Sequence, residues 1–96
     1  MAMSLPLKTE LFLAICNAGK EGIWEIEAIE KMLATESGLN KEYWKNLAAF
    51  WLMEMTGNGV IQILEQRDDS EYYGRELTIS KYAPTELGMF RKETMI

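Results

Sequence analysis

The feature that most constrains this chain is a change of hydrophobic period at Thr56-Gly57-Asn58-Gly59. Before it, apolar residues recur at helical spacing; after it, Val60-Ile61-Gln62-Ile63-Leu64 is a β-rich run. Two glycines and an asparagine accept positive φ more readily than other residues, so the tetrapeptide stops a helix. A chain of 96 residues suits one domain with one core. Helices and strands on the two sides of the break must therefore share that core, which predicts an α+β fold, mainly α.

Three helices are expected before the break. Leu7, Leu11, Phe12, Ile15 and Cys16 fall on one helical face, with Pro6 at the first turn and Asn17-Ala18-Gly19 as the close. Gly22-Ile23-Trp24 reads as a brief extended segment. A second helix runs from Ile26 to Glu36, with Ile26, Ile29, Met32 and Leu33 inward and Glu27, Glu30 and Lys31 outward, and Ser37-Gly38 ends it. Asn40 is an N-cap for the third, because its side-chain oxygen can accept from amides the first turn leaves unpaired. At about 100° per residue, Trp44, Leu47, Ala48, Trp51 and Met55 group on one flank, widened by Tyr43, Phe50 and Leu52. Lys41, Glu42, Lys45, Asn46 and Ala49 then face away.

After the break, Val60–Leu64 and Tyr72–Lys81 are the two sides of a hairpin whose turn is Gln66-Arg67-Asp68-Asp69-Ser70. Pro84 ends the second strand. Thr85 caps a last short helix with Leu87 and Phe90 inward. The whole chain, residues 1–96, reads as one domain with residues 1–5 a flexible lead.

Composition narrows the function classes. Ten Lys and Arg stand against fifteen Asp and Glu, a formal charge of −5. Such a chain repels polyanions unless it gathers a local basic patch. It holds no His, and its one cysteine excludes an internal disulfide and a Cys-based zinc site. Cys16, beside Ile15, is expected to be a buried thiol acting as a small hydrophobe. No segment approaches the roughly 20 apolar residues of a membrane span, so the expected location is cytoplasmic. Without imidazole no Ser or Cys has the usual base to activate it. Gly57 and Gly59 follow a helix instead of a strand and lack a downstream Lys, so they are not a phosphate loop. The expectation is no enzyme, no cofactor and no metal.

Three helices, a glycine-bearing turn and a β-hairpin follow the order of a winged helix-turn-helix, and two motifs carry that resemblance. "LMEMTGNGVIQIL", Leu52 to Leu64, resembles the segment in bacterial and archaeal transcription regulators where a Leu-rich helix end meets Gly and two apolar residues. "YAPTELG", Tyr82 to Gly88, resembles their wing closure of Tyr, any residue, Leu, Thr, two residues and Gly, with Pro84 where the family usually has Leu. The resemblance covers about Leu7 to Lys92. It implies a homodimeric transcriptional regulator that binds duplex DNA, with the third helix in the major groove and the wing on the backbone.

Carried onto this chain, the resemblance puts Asn40, Lys41, Lys45 and Asn46 at the groove and Arg67 and Arg75 on the sugar-phosphate backbone. Asp68, Asp69 and Glu71 at the wing tip, and Glu25, Glu27 and Glu30 at the second helix, oppose that use. The alternative expectation is an acidic winged-helix module for protein–protein interaction that does not bind DNA. It would use Trp24, Tyr72, Tyr73 and Phe90, aromatic residues being common anchors of such interfaces. Met95 and Ile96 would add to a terminal-helix dimer contact.

Overall fold

A computed structural model describes residues 5–69, 71–74 and 77–94. The elements are α1 (Leu7–Ala18), a 3-10 turn (Gly19–Glu21), β1 (Ile23–Trp24), α2 (Glu25–Leu33), α3 (Lys41–Gly57), β2 (Ile61–Asp69), β3 (Leu77–Pro84) and α4 (Glu86–Thr94). Four helices accompany one antiparallel sheet of order β1-β3-β2, so the fold is α+β. Residues 1–4, Arg75, Met95 and Ile96, to which expectations were attached, lie outside the described residues.

Helix α1 forms where its period requires, with Leu11, Phe12, Ile15 and Cys16 buried. Gly19 closes it at φ +68°, a conformation glycine takes without a Cβ penalty. Helix α2 stops at Leu33, short of Glu36. The Thr35 hydroxyl (2.7 Å) and amide (3.2 Å) both donate to the Met32 carbonyl, which tightens the chain into a turn. Its buried face is also rotated: Glu25, Ala28, Ile29 and Met32 go in, while Ile26 and Leu33 are half-exposed. The cause is Glu25, whose carboxylate is drawn inward by partners on the hairpin.

Helix α3 starts at the expected cap, with Asn40 Oδ1 accepting from the Tyr43 amide at 3.0 Å. Its buried line is Lys45, Ala48, Leu52 and Met55. Trp44 and Trp51 pack half-buried against the core with ring centroids 6.1 Å apart. Tyr43 and Phe50, expected inward, are exposed.

The hairpin is longer than expected. Gln66 to Asp69 belong to β2 and pair in register with Ser80 to Leu77, so they are strand and not turn. The reversal comes later because Asp69 Oδ1 accepts from the amides of Glu71 (3.0 Å) and Tyr72 (3.3 Å), an Asx turn that bends the chain there. Tyr72 and Tyr73 consequently lie in the turn. Polarity misled the reading because β2 is an edge strand, exposed along most of its length. A bulge at Leu64 offsets the two halves of the pairing. The extended pair Ile23-Trp24 becomes the third strand, opposite Tyr82 and Lys81 of β3.

Helix α4 is anchored at its first turn. Thr85 Oγ1 accepts from the Gly88 amide at 3.0 Å, and the Thr85 amide donates to the Val60 carbonyl at 3.2 Å. A Cβ on Gly88 would stand 1.9 Å from that same carbonyl oxygen, so only glycine allows the approach. With Gly88 as the contact point, Leu87 and Phe90 are carried to the flanks and are exposed, not inward.

The core holds Leu11, Ile15, Ile29, Met32, Leu52 and Ile61 with the Tyr82 ring at its sheet side. Ile79, also fully buried, sits on the opposite sheet face, directly across from Arg67.

Candidate interaction surface

The residues expected at a DNA groove fall into a different arrangement. Lys45 is only 6% exposed. Its Nζ donates to the Tyr72 carbonyl, pairs with Glu42 Oε1 at 2.9 Å, and lies 4.8 Å from the Tyr72 ring centroid and 5.9 Å from that of Tyr73. Burying an ammonium is costly unless it finds such partners, and here a carbonyl, a carboxylate and two π faces meet it. Lys45 therefore pins the hairpin turn to α3, which corrects its expected outward place.

The neighbouring cation and amides are also engaged. Lys41 Nζ pairs with Glu30 Oε1 at 2.8 Å. The Asn40 side chain is occupied as the helix cap, and Asn46 Nδ2 donates back to the Glu42 carbonyl at 2.6 Å. Arg67 stacks on Trp24, its guanidinium carbon 4.6 Å from the ring centroid. Trp24 and Arg67 thus roof the outer sheet face above Ile79, the residue opposite Arg67. Arg75 lies outside the described residues.

Tyr72 and Tyr73 turn inward, which corrects the expectation that they are exposed anchors. Their rings meet edge to face at 4.9 Å. Tyr73 Oη donates to Glu25 Oε2 at 2.7 Å, and Tyr72 Oη reaches Glu30 Oε1 at 3.4 Å. Burial, the acceptor carboxylate and nearby negative charge push both phenols well above the ordinary tyrosine value. Glu25, 5% exposed, also accepts from the Ser80 amide at 2.6 Å. Desolvation raises its pKa, and the bonds from Tyr73 and Ser80 offset part of that rise. Glu25, Glu30, Glu42, Lys45 and the tyrosine pair form one knot that ties the hairpin turn to α2 and α3.

With Lys45 turned inward, the opposite side of α3 faces water. Tyr43 (60% exposed), Phe50 (62%) and Met53 (71%) lie along it, together with Asn46. Sequence reasoning missed this face. Taking Lys45 as solvated placed the stripe near Trp44, whereas the line 45-48-52-55 through Ala48 and Leu52 leaves 43-46-50-53 on the far side. Phe90, placed inward by the helical spacing, is exposed on α4 beside Leu87 and Met89.

Among the described residues no group of three or more His, Cys, Asp or Glu side chains is placed to hold a metal ion, and no helix is long and apolar enough to cross a membrane. Comparison with known proteins found no matching family model, curated protein or solved structure.

Proposed function

We propose that this chain is an acidic winged-helix module for protein–protein interaction, with the outer face of α3 as its recognition surface. The element order, with the short β1 completing a β1-β3-β2 sheet, supports the winged-helix assignment. A single observation carries the functional reading: Lys45 is buried under the hairpin turn while Tyr43, Phe50 and Met53 occupy the solvent side of the same helix.

Phosphate binding requires cations free to neutralise it. Here Lys41 and Lys45 have carboxylate partners and Arg67 covers Trp24, on a protein of net charge −5. Protein recognition needs large apolar side chains that lose water on contact, and burying each of the three fully is worth about 1.5–3 kcal/mol. The fitting partner is a protein segment with an apolar face flanked by Lys or Arg, since the overall charge is negative.

Fluorescence anisotropy with a random DNA duplex, followed from low to physiological salt, separates this reading from that of a DNA-binding regulator. No saturable binding is expected even at low salt; binding that weakens steeply with salt would overturn the proposal. A basic amphipathic helical peptide of Leu and Lys serves as the protein-side probe. It should bind the wild type and lose binding to Phe50→Asp, while equal binding to both would remove α3 from the account. Sedimentation velocity of the same samples reports whether a second copy, as in a homodimeric regulator, occupies the face instead.

A further inference from the structure

Among the grooves of the described residues, three differ in what they offer a ligand. The one between α2, α3 and the hairpin turn contains Lys41 and Lys45 but also Glu42, Asp69 and Glu71, so its acids outnumber its cations. The one beside α4 is apolar at Met89 and Phe90 and carries two carboxylates, Glu86 and Glu93, against Lys20. The third, of about 490 Å³, opens between the first turns of α1, the end of α3 and α4. Phe12, Met55 and Val60 line it as apolar surface and Lys8 and Arg91 as cations, and among the described residues no Asp or Glu lines it.

On a protein of net charge −5, a groove with cations from two separate helices and no lining carboxylate among the described residues runs against the average field. Its cations are unequally engaged. Lys8 is paired with Glu54 across to α3. Arg91 enters no ion pair among the described residues. A guanidinium presents a planar fork of donors that matches a carboxylate in two parallel bonds. The apolar wall beside it suits a ring or branched chain, and the volume falls within the roughly 300–1,000 Å³ of small-molecule sites.

We propose that this groove binds a small organic monocarboxylate with an apolar body. The carboxylate pairs with Arg91, Lys8 stays engaged with Glu54 beside it, and the apolar body lies on Phe12, Met55 and Val60. The Thr9 hydroxyl and the Asn58 amide are the polar groups left to orient it. The site is separate from the outer face of α3 and stands independently of what that face binds.

The test is an NMR titration of the intact protein with 2-naphthoate and 4-methylpentanoate, using 2-naphthamide and inorganic phosphate as controls. Saturable shifts of the Thr9, Asn58 and Val60 amides are expected with a carboxylate. The neutral amide and phosphate should bind about tenfold more weakly or not at all. Arg91→Gln should weaken the carboxylate by about tenfold or more, and Arg91→Lys should restore part of the loss. Arg91 is exposed, so both variants should melt with the wild type; if Arg91→Gln does not, the neutral-amide comparison on the wild type decides. Absence of saturation by both carboxylates, equal affinity for acid and amide, or undiminished affinity in a normally folded Arg91→Gln protein would each overturn the proposal.

Discussion

Replacing Lys45 with Met removes one charge from the knot while keeping most of the aliphatic stem. Lost are the hydrogen bond that Nζ donates to the Tyr72 carbonyl and the cation's place over the Tyr72 and Tyr73 rings. A hydrogen bond involving a charged group contributes about 1.5–3 kcal/mol, and a partly desolvated cation–π contact about 0.5–2 kcal/mol. Glu42, the other partner, has a side chain 73% exposed and rehydrates at little cost. Replacing a whole buried polar pair by apolar groups is often neutral, but here the Tyr72 carbonyl stays behind without its donor. The expected destabilisation is about 2–4 kcal/mol. At about 4–8 °C per kcal/mol for a domain of this size, the Tm should fall on the order of 10–30 °C. Lys41→Met is the matched control, since it breaks the exposed pair with Glu30, worth about 0–1 kcal/mol, and otherwise only a 6.0 Å approach of Nζ to the Tyr72 ring centroid. Urea and thermal unfolding of both variants supply the comparison, and amide exchange at Tyr72 to Gly74 should quicken only in Lys45→Met. Equal, small effects of the two substitutions would refute the clamp, and with it the argument that this lysine is withheld from ligands.

Gly88→Ala should destabilise by about 1–3 kcal/mol, because the new methyl meets the Val60 carbonyl and α4 must shift away; circular dichroism melts would read this as a lower Tm. Glu25 should make stability pH-dependent in a set direction. Its folded pKa is raised above 4.5, so between 4.5 and that value the folded state holds more protons and stability falls as pH rises. In Glu25→Gln that component is absent, so the variant should gain on the wild type in urea midpoint between pH 4 and pH 7; an unchanged difference between the two proteins would contradict it.

Much of the fold was legible because it rests on local chemistry. The α1 stripe, the Asn40 and Thr85 caps and the breaks at Gly19 and Gly57–Gly59 involve residues within a few positions of each other, so spacing alone locates them. The hairpin boundaries were less legible, since the polar run Gln66–Asp69 looks alike in a loop and on a water-facing edge strand. Only the side-chain turn at Asp69 separates the two.

The candidate site was harder still. By itself the sequence determined that a helical half and a hairpin must share one core, that the chain is acidic, and that nucleophilic chemistry dependent on imidazole is excluded. Which way α3 is rotated was decided by tertiary structure. A lysine reads as a solvent-facing residue until a carbonyl, a carboxylate and two aromatic rings converge on it, and those groups come from the hairpin turn 27 positions away as well as from α3 itself. Once they do, the apolar face that water meets is turned about a quarter of a helical turn from the expected groove-facing side, and Asn46 lies on both.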